Sequence, residues 1–301
     1  MKMALKVTLL VVPVVCLVNM IASKALAASS SKPNKVVMSA DRHVVEPKPE
    51  DTLAFSIEAL ISRSSSLVDH RDGTNKEGVD YTVIPKIQTS FGSLKAVISY
   101  SQDLKNQSEQ ASTFNDISLS FALNPNKWQW SPPYILTLTP FSTIILPVSK
   151  TSVKRDQLQT AVSFGFSFGI IPDGVAPKKD GAWSLAIAVS GGQNVHAYET
   201  NINGAGLFKY RSNQSINLGY SYKYFSFSTE FINKSRWTYQ GNTNNFFEHT
   251  EEIGYGISDH FSVALGHTNA GNAIKDNAVD SNLSVFSEND SMIYVSTGLA
   301  F

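Results

Sequence analysis

A single cysteine in 301 residues excludes a disulfide framework. That cysteine, Cys16, lies in an N-terminal apolar stretch after Val14 and Val15, without the small preceding residue that lipid attachment requires. Charge is scarce as well, at 17% of residues, and the 25 basic and 25 acidic side chains cancel. A nucleic-acid partner would therefore lack the counterion-release term that dominates such binding. Long hydrophobic runs are confined to the N-terminus and mean hydropathy is −0.10, which excludes a bundle of membrane helices. No G-x-S-x-G, H-E-x-x-H or glycine-rich phosphate loop occurs, so catalytic, metal and cofactor sites are not expected.

What is present begins with an export signal. Lys2 and Lys6 precede the apolar run 8–23, and Ala25-Leu26-Ala27 supplies a small-residue exit, the three-part pattern of a cleavable signal peptide over 1–27. Segment 28–50, rich in Ser, Lys and Pro without steady period, reads as a flexible periplasmic lead-in. Residues 51–301 then carry one repeated signal.

That signal is period two in blocks of roughly ten residues, the length at which a tilted strand crosses a bilayer. Clear examples are Phe55-x-Ile57-x-Ala59-x-Ile61, Phe164-x-Phe166-x-Phe168-x-Ile170, Trp183-x-Leu185-x-Ile187-x-Val189 and Ile293-x-Val295-x-Thr297-x-Leu299-x-Phe301. The spacing predicts about twelve strands, with ten or fourteen if pieces merge or split near Pro140 or Gly191-Gly192. Tight connections such as Gly92-Ser93 and Ser258-Asp259 alternate with long polar ones such as 66–80 and 271–290. Aromatics gather towards both strand ends, among them Trp183, Tyr222 and Tyr255 at one and Tyr81, Tyr100 and Trp237 at the other. Short turns at one rim, long loops at the other and two aromatic belts predict an all-β class, a transmembrane antiparallel β-barrel. Exported strands in hydrocarbon must close on themselves, because each unpaired backbone amide there costs several kcal/mol.

The last ten residues, Met292 to Phe301, resemble the terminal strand of bacterial outer-membrane β-barrel proteins, with Val295, Leu299 and Phe301 in the alternate positions and polar Thr297 departing from the pattern. The resemblance implies a C-terminal signal read by the barrel-assembly machinery and a place in the outer membrane, among its lipid and lipopolysaccharide. The stretch Leu146-Pro147-Val148-Ser149-Lys150, leading into Arg155-Asp156-Gln157-Leu158, also resembles a loop-to-strand passage of the outer-membrane family named for the meta-pathway of phenol degradation.

If the apolar alternates face lipid, Ser163, Gly165, Ser167, Gly169, Ala186, Ala188, Asn217 and Gly219 give one smooth lumen wall. The charged candidates for the rest of a pore lining are Glu58, Lys86, Lys95, Asp116, Lys223, Glu230, Lys234, Arg236 and Glu252, with Glu248 beside them. The reading is a porin-like passive channel for small hydrophilic or amphipathic solutes. Lys234 and Arg236 form a basic ladder suited to an anionic solute, or else pair with lipopolysaccharide phosphates or with Glu248 and Glu252. The alternatives are a plugged structural or adhesive barrel, its bore filled by side chains or by 29–50, and a lipid-modifying barrel enzyme. The last would need His249 or His267, which a hairpin at Ser258-Asp259 brings opposite one another or opposite Glu251, beside a serine or an acid.

Overall fold

The computed structural model describes residues 53–67, 76–104, 112–131, 133–172, 181–273, 281–287 and 290–301. The expected signal peptide and lead-in lie outside the described residues. The strands are β1 (Ala54–Ser66), β2 (Glu77–Gln88), β3 (Gly92–Asp103), β4 (Ser112–Phe114), β5 (Ile117–Leu123), β6 (Asn126–Ser131) and β7 (Tyr134–Leu146). They continue as β8 (Leu158–Pro172), β9 (Ala182–His196), β10 (Phe208–Tyr222), β11 (Phe225–Thr238), β12 (Thr243–Gly256), β13 (Phe261–Asn272) and β14 (Ser291–Ala300).

Each strand pairs antiparallel with its sequence neighbour around the wall, and β1 closes on β14. Ile57 and Phe301 seal that seam by exchanging two backbone hydrogen bonds of 3.0 and 2.9 Å. The result is a closed antiparallel barrel of twelve wall positions, because β4, β5 and β6 share one position. There β4 pairs with β3, β5 lies between β3 and β7, and β6 continues along β7 beyond the end of β3. The alternation predicts a strand near 114–124 and a turn over 125–132; instead the strand runs on to Ser131.

Closure also fixes which face is which. On a curved sheet the concave side crowds its side chains, so small inward residues are hidden while large outward ones stay exposed. Ser163 and Ser167 on β8 are only 7% and 6% exposed, whereas their large neighbours Phe164, Phe166 and Phe168 are 67%, 54% and 56% exposed. Directly paired residues share a face, so the assignment passes from strand to strand. One inward row reads Thr139, Ser167, Ala188, Ser215, Ile232, Glu248 and Ala270. The outward rows carry the alternating apolar residues that identified the strands in sequence.

Both rims carry outward rings. At the short-turn rim Trp183 packs on Tyr220 at 4.6 Å between centroids and Phe225 on Tyr255 at 5.0 Å. At the long-loop rim Tyr100 bridges Tyr81 and Phe114, at 6.2 and 5.2 Å. These rings bracket the apolar band as interfacial girdles do.

Candidate functional site

The lumen wall is built by the inward face of every strand, and its chemistry changes around the circumference. Strands β7 to β9 contribute Thr137, Thr139, Ser163, Gly165, Ser167, Gly169, Ala186 and Ala188. The expected smooth wall is therefore a real sector of the inner face. It carries one large feature the sequence reading missed. Phe141 pairs with Gly165 and points inward over it, since a Cβ on Gly165 would lie 2.6 Å from the Phe141 ring. Tyr294 covers Gly266 in the same way and donates a hydrogen bond of 3.0 Å to Glu252. An aromatic laid over a cross-strand glycine stabilises a register that the glycine alone would leave weakly specified.

Charged inward residues form two sectors. Towards the short-turn rim, Lys86 pairs directly with Lys95 across β2 and β3, and Glu58 on β1 is close enough to feel both charges. On β11 and β12, Glu230, Lys234, Arg236, Glu248 and Glu252 all share the inward face. Lys234 is ion-paired with Glu248, as one of the expectations for it had it. Register turns Lys234 and Arg236 to the inner face.

Two of the nine expected pore-lining residues sit elsewhere. Lys223 occupies the β10–β11 turn with φ of 52°, off the wall, and its ammonium lies 5.1 Å from the centre of the Tyr222 ring. Period two placed it one step beyond the strand that actually ends at Tyr222. Asp116 lies between β4 and β5, where it accepts backbone hydrogen bonds from Val148 and Ser149, at 3.0 and 2.9 Å, and one from the Ser152 hydroxyl. Its carboxylate thus anchors the 147–157 loop, which contains a short helical turn, Thr151–Arg155. Of the C-terminal residues, Val295 and Leu299 face outward opposite Leu265 and Phe261, and Phe301 is 73% exposed at the seam.

Towards the long-loop rim a further inward cluster appears. Arg211 on β10 is the direct cross-strand partner of Arg236 on β11. The Arg236 guanidinium lies between the rings of Phe208 and Phe246, at 5.5 and 5.1 Å from their centres, and the rings themselves meet edge-on at 6.3 Å. Arg211 was legible, because the alternation Ile216, Leu218, Tyr220 leaves 217, 215, 213 and 211 inward. Phe208 was not, because a register shift between Phe208 and Tyr210 turns it to the inner face against strict period two.

The histidine grouping expected from the 258–259 hairpin forms, but on the outward face. His267 pairs with Glu251, and their nearest charged atoms are 3.7 Å apart; the same carboxylate is 3.9 Å from Nε2 of His249. Thr229 Oγ1 lies 3.1 Å from that same nitrogen. A relay needs the hydroxyl and the acid on opposite ring nitrogens. Here both sit at Nε2, while His249 Nδ1 and His267 Nε2 have no hydrogen-bond partner among the described residues.

No family model matches the sequence, and no curated protein matches it. Solved structures do match. An outer-membrane channel from Pseudomonas putida F1 aligns over 86% of this chain and 100% of its own, at 10% identity and a TM-score of 0.50. The NanC porin aligns over 81% of this chain and 98% of its own, at 9% identity and TM-score 0.42, and the KdgM porin over 82% and 99%, at 7% and 0.41. At such identities the likeness concerns the fold alone, a closed antiparallel barrel of the outer-membrane kind.

Proposed function

We propose that this chain is an outer-membrane channel that lets small hydrophilic or modestly amphipathic solutes diffuse passively across the lipid. The observation that carries the reading is the contrast between its two faces. Large apolar side chains crowd the outer wall, whereas the inner wall is lined mainly by Ser, Thr, Ala, Gly, Asn and discrete charged sectors, with a few large side chains such as Phe141 and Tyr294 among them. Eight strands leave room only for side chains and sixteen leave an aqueous channel, so twelve set a bore between those limits. Small residues on β8 and β9 widen that bore on one side, where Phe141 of β7 alone projects over Gly165.

In this reading Glu58, Lys86, Lys95, Glu230, Lys234, Arg236 and Glu252 shape the electrostatics of the passage, and the outward apolar band contacts lipid and lipopolysaccharide. Val295, Leu299 and Phe301 supply the terminal strand to the barrel-assembly machinery. Liposome swelling with neutral sugars of graded size tests the channel. Reconstituted protein of residues 28–301 is expected to admit small sugars quickly and to exclude larger ones. Swelling no faster than protein-free vesicles would move the weight to a plugged, structural or adhesive barrel.

A further inference from the structure

Arg211 and Arg236 oppose each other directly across a strand pair, an arrangement that costs stability because like charges repel. A wall position normally offsets such a cost by interleaving carboxylates, and the nearby acids are engaged elsewhere. Glu248 is held by Lys234 and Glu252 by Tyr294. Among the described residues no carboxylate comes within ion-pair distance of either guanidinium, and Arg211 Nε is buried without a hydrogen-bond acceptor. A buried donor left unpaired costs about 1–3 kcal/mol.

The surroundings keep the pair in place. Phe208 and Phe246 lie against Arg236 and fix its position by cation–π contact. Contact with ring faces still leaves the N–H groups at the guanidinium edge available for a planar or tetrahedral oxyanion. Amide side chains adjoin the pair on the same face, Asn213 two residues from Arg211 and Asn244 directly opposite Arg236. Small residues lie on the other flank, since Gly192 is the β9 partner of Arg211 and Ser163 the β8 partner of Gly192. Two adjacent cations, one held between rings and the other with a buried donor unpaired, thus face a stretch of wall with little bulk.

We propose that Arg211 and Arg236 form an oxyanion-binding site in the lumen near the long-loop rim, which takes the carboxylate or phosphate group of a solute. As a step in transport this rests on the channel reading; as a binding site it does not. Arginine suits this role because its fork of donors meets such groups two at a time.

Two measurements on folded protein in detergent and in planar bilayers separate the questions. The first follows the temperature at which the compact gel band of the barrel converts to the unfolded one, in inorganic phosphate against chloride of equal ionic strength. Ligand binding to the folded state alone raises that temperature. The wild-type protein is expected to be stabilised by phosphate, R211Q/R236Q not to be, and R236K, which keeps the charge and loses the fork, to keep only a minor part of the shift. Equal phosphate stabilisation in all three proteins, or none in the wild type, would overturn the site. R236K alone decides the matter if the double variant does not fold. The second measures reversal potential in a salt gradient, where neutralising both arginines is expected to lower the anion-over-cation permeability ratio about threefold or more. An unchanged ratio would remove the site from the permeation path, whereas absence of current from every protein would sink the channel reading and leave the phosphate result to judge the site.

Discussion

Neighbouring glycines in this barrel have opposite requirements. A Cβ on Gly192 would lie 2.4 Å from the Val162 carbonyl oxygen and 2.7 Å from Ser163 Cβ, whereas one on Gly191 would meet nothing within 4 Å. Gly192→Ala is therefore expected to destabilise the barrel by about 1–3 kcal/mol, the usual cost of overpacking. Gly191→Ala is expected to be neutral or slightly stabilising, since both residues lie in a regular strand where glycine carries an entropic cost. Urea unfolding of the two refolded variants checks the contrast, and equal effects would contradict the inward and outward assignment. Lys223 gives a second residue-level test. Its left-handed backbone disfavours a lysine, so Lys223→Asn should leave conductance unchanged and raise stability by up to about 1 kcal/mol. A changed ion selectivity would return Lys223 to the pore lining. Phe141→Ala, in turn, should raise single-channel conductance, because its ring projects into the lumen over Gly165. No change in conductance would place the narrowest section elsewhere.

At the scale of elements, most of the wall was legible and the exceptions have physical causes. All twelve wall positions were predicted, because an outward face in lipid and an inward face in water impose period two on each strand. The β4–β6 position was misjudged at its end. Asn124-Pro125-Asn126 carries turn-forming residues that interrupt the ladder without ending the strand, which resumes as Asn126–Ser131 against β7. Loops gave less away, since their order comes from contacts distant in sequence. Asp116 reaching Val148, Ser149 and Ser152 is one case, and Asn269 is another. Asn269 faces outward, yet it is fully buried, because Ser284, in the described stretch 281–287, lies against it and accepts a hydrogen bond from its side-chain amide. The aromatic contact of His267 with Phe286, at 6.5 Å, belongs to the same covering. Asp116→Ala is expected to release the 147–157 loop, seen as faster limited proteolysis within it while the barrel band on a gel persists. Unaltered cleavage would show that the loop is held by other contacts.

For the molecule as a whole, closure governs everything else. Antiparallel pairing runs around the whole wall, the seam joins β1 to the terminal strand, and outward bulk with inward smallness follows from one alternation read twelve times. The outward row through Ile293, His267, Glu251, Thr229 and Leu218 is one departure, a polar interruption of the apolar outer face. The Glu251 carboxylate there lies within 4 Å of both imidazoles. Solute and oligomeric state were not legible in sequence, since alternation constrains the wall and says nothing of what passes along it. Single-channel recording of residues 28–301 in a planar bilayer, beside protein lacking 29–50, decides whether the inner face bounds a water-filled path. Discrete, steady conductance steps are expected from both. Silence from both, with a heat-modifiable folded barrel on the gel, would contradict it.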